Sequence, residues 1–266
     1  MKKILVTGGT VFVSKYVAEY FAKKGYDVYV LNRNKHKQCD GVTLIEADRS
    51  QLGDVLISSS AVYPEYEKQP FTEETPVGEN KFWGSYGTDK IAAEEVLTKR
   101  FPNAYIIRPP YLYGPMNNVY REAFVFDCAM AERKFYLPED GKLKLHFFYV
   151  KDLCRVIEAI LDKKPEKHIF NVGNKEAVTI RDWVNECYAV AGKKVKFAEV
   201  YEDINWRSYF CFSKYEYYLD TAKQDELIDT TVDLKEGLKE AFDWYKDNQD
   251  KVSKRPYFEY IDEHLA

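Results

Sequence analysis

Tyr86 and Lys90 are four residues apart, a spacing that places both side chains on one face of a helix. A free tyrosine titrates near pH ~10 and is a poor base at neutral pH, unless a nearby cation favours its phenolate form. A lysine one helical turn away would supply that cation, so the pair could move a proton to or from a substrate hydroxyl. Because the chain has 22 tyrosines, the spacing alone also fits an ordinary helical tyrosine.

The predicted elements on either side give this pair a location. The apolar run 55–57 leads into three serines, Ser58 to Ser60, and a helix predicted over 86–97 is followed by the apolar run 104–107. Short apolar runs bounded by polar or turn residues are typical of buried strands. Sites in parallel sheets lie at the carboxyl ends of the strands, so the serines and the Tyr–Lys pair are predicted to meet there.

A glycine turn near the start of the chain predicts a phosphate-binding site. Residues 3–7 form an apolar run, Gly8 and Gly9 break it, apolar residues at helical spacing follow, and residues 27–31 form a second run. This order is typical of a βαβ unit, which implies a parallel sheet. Backbone N–H groups and the helix N-terminus can bind a pyrophosphate in such a turn. Val11 and Ser14 stand where glycines are usual, so an ordinary tight turn is the alternative.

The residues after the second run bear on the type of dinucleotide. A carboxylate there would bind the ribose 2′-hydroxyl of NAD, whereas a nearby arginine suits the 2′-phosphate of NADP. This chain has Asn32 and Arg33 and no carboxylate at that point. The segment fits a solvated basic loop equally well, so the sequence favours NADP over NAD only slightly.

The composition excludes several classes of protein. Hydrophobic residues make up 45% and charged residues 31% of the 266-residue chain, a balance typical of globular proteins. No apolar run approaches the ~18 residues of a membrane-spanning helix, and the N-terminus reaches glycine too early for a secretory signal. The net charge of −4 disfavours a broad nucleic-acid-binding face. Five scattered cysteines indicate reduced thiols and no metal site, so we predict a soluble, cytoplasmic protein.

Taken in order, these motifs resemble a known family. The sequence is similar to extended short-chain dehydrogenases/reductases of the NAD-dependent epimerase/dehydratase type. That resemblance implies an α/β fold, with a Rossmann-type doubly wound parallel sheet and a smaller C-terminal substrate domain. The segments that carry it are 7–10, 58–63, 86–90, 108–115 and 149–153, with further agreement at 170–173 and 237–245.

The resemblance implies a role for each matching residue. Tyr86 would be the catalytic acid/base, and Lys90 would lower its pKa and bind the nicotinamide ribose. The family's serine or threonine lies three residues before the valine of the Val-Tyr pair, which selects Ser59, with Ser60 as the alternative. Asp48 resembles an adenine-contacting aspartate, although a simple loop carboxylate is equally consistent. The residues predicted to bind NAD or NADP are Gly8, Gly9, Thr10, Phe12, Val13, Asn32, Arg33, Asp48 and Lys90.

One part of the implied fold has no counterpart in the sequence. Only six residues, 49–54, separate Asp48 from Val55, where a helix, a strand beside the first strand, and a second helix are expected. Either these elements are deleted or a stretch has been left out of the chain, and the intact flanking motifs favour the second. We predict a dinucleotide-binding domain over 1–115 that lacks this unit. A mainly substrate-binding part would span 116–266, with 146–172 as a candidate to return to the first domain.

Three functions are consistent with these residues. The leading prediction is a sugar-nucleotide epimerase, dehydratase or reductase, in which Tyr86 takes a proton from a sugar hydroxyl as hydride moves to the nicotinamide. The first alternative is an RNA-binding relative, because chloroplast stem-loop RNA-binding proteins share this fold and a similar N-terminus; the net charge argues against it. The second is a cofactor-binding protein without turnover. The predicted partners are a nucleotide sugar and a second copy of the chain, without a membrane.

Overall fold

The computed structural model describes residues 2–7, 9–46 and 55–266. Gly8, Asp48 and the short connection 49–54 lie outside the described residues. The strands are β1 (Lys3–Thr7), β2 (Asp27–Asn32), β3 (Val42–Glu46), β4 (Val55–Ile57), β5 (Tyr105–Arg108), β6 (Tyr111–Tyr113), β7 (Phe135–Pro138), β8 (Lys144–Leu145), β9 (Phe147–Tyr149), β10 (Ile169–Asn171), β11 (Val178–Thr179) and β12 (Phe197–Val200). The helices are α1 (Phe12–Lys23), α2 (Ser85–Arg100), α3 (Glu122–Met130), α4 (Val150–Lys163), α5 (Ile180–Val190), α6 (Leu234–Lys246) and α7 (Tyr257–His264).

The first 46 residues contain the βαβ unit predicted from the sequence. β1 and β2 pair in parallel on either side of α1 along the chain, and β3 extends the sheet on the far side of β2. Val17 and Phe21 on α1 and Val28 and Val30 on β2 are buried in one apolar core. Gly25 ends α1 with a φ of +79°, a left-handed conformation that glycine adopts without strain.

A second parallel sheet has the order β10-β5-β4, with α2 between β4 and β5 along the chain. Within the described residues, β1 pairs with β2 alone and β4 with β5 alone. The strand expected beside β1 is therefore not found in the described part of the chain. The α/β class with parallel strands is confirmed.

Helix α4 joins the two sheets through a common apolar core. Its buried residues Leu153 and Ile160 share that core with Val30 of the first sheet and with Ile107 and Phe170 of the second. Since β10 pairs with β5, residues 169–171 belong to the second sheet although they follow the predicted boundary at residue 115. The packing of α4, rather than strand pairing, connects the sheets in the described residues.

The apolar run over residues 145–150 is divided among three elements. Residues 145–150 read as a single apolar run, but β8 ends at Leu145, β9 begins at Phe147 and α4 begins at Val150. The break falls at His146, whose Nε2 lies 2.7 Å from the carbonyl oxygen of Asn174 and whose Nδ1 accepts a hydrogen bond from a backbone N–H. These contacts turn the chain, so β8 pairs with β11 and β9 pairs with β6.

The C-terminal half packs its helices around an aromatic core. Leu238, Phe242 and Tyr245 form the buried stripe of α6, and Phe126 of α3 packs edge-on against Phe242 at 5.1 Å between ring centroids. Asp233 caps α6 by accepting a hydrogen bond from the N–H of Lys235. None of the described helices is long and apolar enough to cross a membrane.

Candidate active site

The three serines after β4 have different surroundings. Ser58 is buried and donates a hydrogen bond to Glu94 on α2. Ser60 is also buried and donates to the hydroxyl of Tyr217 at 3.3 Å. The hydroxyl groups of Ser58 and Ser60 therefore both donate hydrogen bonds within the protein.

Ser59 lies between them and is half-buried. Its Oγ accepts a hydrogen bond from the N–H of Ala61 at 3.2 Å and so caps the 3₁₀ turn Ser60–Val62. Among the described residues we find no acceptor for the hydroxyl proton of Ser59. Its surroundings thus allow a hydrogen bond from this hydroxyl to a ligand.

Helix α2 packs directly on this turn. Gly87 lies in its first turn, and a Cβ built on Gly87 would be 2.5 Å from the carbonyl oxygen of Ala61. Real Cβ atoms essentially never come within 3.0 Å of another heavy atom, so this approach requires glycine. The close contact brings Tyr86, the preceding residue, next to the serine segment.

Lys90 connects α2 to the end of β4. Its Nζ donates a hydrogen bond to the carbonyl oxygen of Ile57 at 3.1 Å and lies 5.8 Å from the centre of the Tyr86 ring. The Tyr86 side chain is 53% exposed. Ile57 is two residues before Ser59, so the structure places Tyr86, Lys90 and Ser59 on adjoining segments at the carboxyl end of β4. These are the groups that proton transfer to or from a hydroxyl needs.

A buried polar network behind these residues was missed by the sequence analysis. Glu94 on α2 forms an ion pair with Arg108 at the end of β5, and both side chains are less than a tenth exposed. Arg108 also donates a hydrogen bond to the hydroxyl of Tyr63 at 2.9 Å. The spacing contained a signal, because Glu94 follows Lys90 by four residues and so shares its helix face.

The turn between β1 and α1 fits a pyrophosphate. Gly9 has a φ of +70°, and a Cβ there would lie 2.6 Å from Cγ1 of Val30, so this turn packs closely against β2. No described side chain caps α1, and its first turn carries no acidic residue. The N–H groups at this helix end can therefore donate hydrogen bonds to an anion. Val11 is 47% exposed and places a bulky side chain at the start of α1.

The other described candidates for the dinucleotide lie around this turn and at the end of β2. Thr10, Phe12 and Val13 are half-buried at the start of α1. The side-chain amide of Asn32 donates to Gln38 at 2.9 Å, and its oxygen accepts from the N–H of Asn34 at 2.8 Å. Arg33 is exposed beside it. Asn32 thus orders its own loop, and Arg33 carries an exposed positive charge just after β2. The roles predicted for Gly8 and Asp48 fall outside the described residues.

Two arginines interact with the aromatic residues that pack beside the serine segment. The guanidinium of Arg121 lies 4.9 Å from the centre of the Tyr111 ring, and Arg207 binds the carbonyl oxygen of Cys211. Burial raises the pKa of Tyr111, while the positive charges of Arg121 and Arg207 act in the opposite direction. Tyr111 packs against Tyr217 at 5.4 Å between ring centroids. Because Tyr217 also bonds Ser60, one aromatic layer links the arginines to the serine segment.

The comparison with protein families gives an extended match. The sequence profile of the NAD dependent epimerase/dehydratase family matches residues 4–55 and 43–173. Together these ranges span more than half of the chain. The resemblance inferred from the ordered motifs is confirmed, and with it the assignment to an NAD(P)-dependent enzyme family.

Two relatives illustrate the range of functions in similar sequences. The chloroplast stem-loop binding protein of 41 kDa b from Arabidopsis thaliana is 24% identical over 296 residues, covering 91% of this chain and 78% of that protein. A putative UDP-glucose 4-epimerase from Methanocaldococcus jannaschii is 27% identical over 226 residues, covering 78% of this chain and 68% of that protein. The 296 aligned positions exceed the 266 residues of this chain, so the plant protein has residues that this chain lacks.

Solved structures show the same fold. A dTDP-glucose 4,6-dehydratase from Bacillus anthracis in complex with NAD has a TM-score of 0.71 at 17% identity, covering 95% of this chain and 99% of that one. A UDP-glucuronic acid 4-epimerase from Bacillus cereus in complex with UDP-glucuronic acid and NAD has a TM-score of 0.69 at 18% identity, covering 92% and 99%. These similarities confirm the Rossmann-type fold.

Proposed function

This chain belongs to the NAD dependent epimerase/dehydratase family, and we propose that it oxidises or rearranges a sugar nucleotide through Ser59, Tyr86 and Lys90. The observation that carries this proposal is the hydrogen bond from Lys90 to the carbonyl oxygen of Ile57 at 3.1 Å. It holds the Nζ of Lys90 at the end of β4, on the segment that leads into Ser59, and the same Nζ lies 5.8 Å from the centre of the Tyr86 ring.

The three side chains divide the chemistry. Tyr86 accepts the proton of a sugar hydroxyl while the C–H bond at the same carbon breaks and a carbonyl group forms. Lys90 would hold the nicotinamide ribose, and its positive charge lies 5.8 Å from the centre of the Tyr86 ring. Ser59 donates its hydroxyl proton to the reacting oxygen and orients it. Bound NAD(P) supplies the nicotinamide that accepts the hydride.

The N-terminal turn supports the choice of cofactor. Gly9 permits the close approach of the β1–α1 turn to Val30 of β2, and the N–H groups at the start of α1 suit a pyrophosphate. With Arg33 exposed at the end of β2, we propose that NADP binds at least as well as NAD. The two structural neighbours described above are complexes with NAD.

The arginines on the aromatic side support a nucleotide diphosphate as part of the substrate. Arg121 and Arg207 both act on Tyr111, and guanidinium groups bind phosphate oxygens through two parallel hydrogen bonds. The Bacillus cereus neighbour is a complex with UDP-glucuronic acid. We therefore propose a UDP- or dTDP-sugar whose diphosphate is held by these arginines and whose sugar extends toward Ser59.

The substitution Tyr86→Phe tests the catalytic assignment. Purified protein is incubated with NAD or NADP and a panel of UDP- and dTDP-sugars, and products are separated by chromatography. Tyr86→Phe should lower turnover by roughly 10²–10⁴ while cofactor affinity stays near that of the wild type. Tyr66→Phe, which alters a tyrosine that is 76% exposed elsewhere, is the matched control and should retain full turnover. Equal turnover in both variants would contradict the role of Tyr86.

An RNA-binding function is the second candidate, because one similar protein is named as a chloroplast stem-loop binding protein and is matched over 91% of this chain. The net charge of −4 argues against it. A gel-shift assay with a stem-loop RNA at low and high salt separates the candidates. RNA binding that weakens with salt, together with no turnover of any sugar nucleotide, would favour this alternative.

A further inference from the structure

The ion pair between α2 and β5 forms a rigid contact behind the candidate site. Arg108 donates two hydrogen bonds to Glu94, from Nε to Oε1 at 3.0 Å and from Nη2 to Oε2 at 2.5 Å. The side chains of Glu94 and Arg108 are only 7% and 4% exposed. Burial lowers the pKa of Arg108, but its interactions with Glu94 and Tyr63 together outweigh burial and hold that pKa above its usual value. Two parallel hydrogen bonds fix both the distance and the orientation of the two side chains.

The same carboxylate binds the segment that carries the candidate serine. Ser58 donates a hydrogen bond to Oε1 of Glu94, the atom that also receives Nε of Arg108. Ser58 directly precedes Ser59, and Glu94 follows Lys90 by about one helical turn. One buried side chain thus connects the end of β4 with the helix that carries the candidate lysine.

Arg108 extends this connection to the far end of the serine segment. Its Nη1 donates to the hydroxyl of Tyr63 at 2.9 Å, and that hydroxyl donates to Oδ1 of Asn171 at 2.7 Å. Tyr63 comes directly after the 3₁₀ turn Ser60–Val62, and Asn171 is the last residue of β10. The loop 58–63 is therefore held at both ends by one network with the ion pair at its centre.

Such a network contributes more to geometry than to stability. A buried ion pair is often no more stabilising than apolar residues of the same volume, because both charges lose their hydration. Its directed hydrogen bonds nevertheless fix positions, and the 3.1 Å contact between Lys90 and Ile57 depends on where α2 lies along β4. A displacement of ~1 Å at a catalytic group can lower turnover ~10²-fold.

We propose that Glu94, with Arg108 as its partner, is a positioning residue that sets α2 against the end of β4 so that Ser59, Tyr86 and Lys90 face one substrate. This inference rests on the proposed function of those three residues. Because Glu94 is buried behind them, its loss should impair the chemical step more than the binding of either ligand.

Kinetics of two sets of variants test the proposal. Glu94→Gln keeps the side-chain volume but removes the charge that holds Arg108, and should lower kcat roughly tenfold or more. KM for the sugar nucleotide and Kd for NAD(P) should each change by less than about threefold. Ser58→Ala should lower kcat to a smaller extent, and Ser58→Thr, which retains a hydroxyl, should restore it. If Glu94→Gln fails to fold, the kcat values of Ser58→Ala and Ser58→Thr test the positioning role instead.

A matched control separates positioning from stability. Asp152 is another buried carboxylate paired with an arginine, Arg155, at 2.6 Å. Asp152→Asn should lower Tm and leave kcat unchanged, whereas Glu94→Gln should lower kcat. If Glu94→Gln lowers Tm and leaves kcat within twofold of the wild type, the positioning role is overturned.

Hydrogen–deuterium exchange supplies a readout that does not need turnover. Glu94→Gln should speed exchange in residues 58–63 and 85–91, and Asp152→Asn should not. Unchanged exchange in both segments would overturn the positioning role. If the wild-type protein turns over no sugar nucleotide, the proposed function fails, and faster exchange in these segments alone would still support the positioning role of Glu94.

Discussion

The substitution Gly87→Ala probes the contact that brings the candidate tyrosine to the serine segment. In an exposed helix this change is normally stabilising, because alanine favours the helix by ~0.5–1 kcal/mol over glycine. Gly87 is different, since its Cβ would meet the backbone carbonyl oxygen of Ala61 at 2.5 Å. A backbone atom cannot rotate away, so α2 or the 3₁₀ turn must move.

The structure sets the size of the effect. Ordinary van der Waals contact begins at 3.4 Å, so the two segments must separate by nearly an ångström to accept the methyl group. Overpacking of this kind costs ~1–3 kcal/mol, which exceeds the gain in helix propensity. Since Tyr86 precedes Gly87, the same displacement moves its hydroxyl relative to Ser59. We expect a lower free energy of unfolding and a loss of turnover of up to ~10²-fold.

Urea unfolding and steady-state kinetics on the same preparations measure both effects. Asp89→Ala, an exposed position two residues further along α2, is the control and should be neutral or slightly stabilising with wild-type kcat. Gly87→Ala should lower the denaturation midpoint with an unchanged m-value. A Gly87→Ala protein that is as stable as the control and retains wild-type turnover would refute the close packing of α2 on the serine turn.

Three further outcomes are expected. Lys90→Met should weaken both turnover and NAD(P) binding, and a loss confined to one of them, measured by kinetics and calorimetric titration, would contradict its double role. NADP should bind at least as tightly as NAD. Arg33→Ala should lower the affinity for NADP roughly tenfold, which is about the contribution of one charge-assisted hydrogen bond, while the affinity for NAD stays constant. Burial lowers the pKa of His146 to about 4 from an ordinary value of 6.5, so the folded state favours the neutral ring. Above pH 6.5 His146 is neutral in both the folded and the unfolded state, so it does not change the free energy of unfolding there. As the pH drops from 6.5 toward 4, the unfolded state gains a proton that the folded state does not, and the free energy of unfolding falls by up to ~3 kcal/mol. His146→Gln should remove that part of the pH dependence in urea titrations, and an unaltered pH profile would show that His146 is not its source.

Local pattern was enough to predict the elements that carry the candidate site. The run at 3–7, the glycines and the helical spacing after them determine β1 and α1 through neighbouring residues alone. The four-residue spacing of Tyr86 and Lys90 likewise places both on one helix face, whatever the rest of the fold does. These features depend on backbone geometry over one or two turns, so the sequence by itself specifies them.

Contacts between residues that are far apart in the sequence could not be predicted from local pattern. Ser58, Ser59 and Ser60 are chemically identical in the sequence, and only the packing of Glu94 and Tyr217 gives the outer two buried partners and leaves Ser59 half-buried. The apolar run 145–150 likewise reads as one strand, because its interruption depends on His146 meeting the backbone of residues far along the chain.

The same distinction applies to the charged groups. Nothing in the local sequence of Glu94 or Arg108 pairs them, since they lie on a helix and a strand that meet only when α2 packs beside β5. Arg121 and Arg207 are far apart in the sequence, yet the charges of both act on Tyr111. Periodicity reports which face of an element is buried, whereas the partner on that face is chosen by tertiary packing, because hydrogen bonds and ion pairs form between groups that folding brings within a few ångströms.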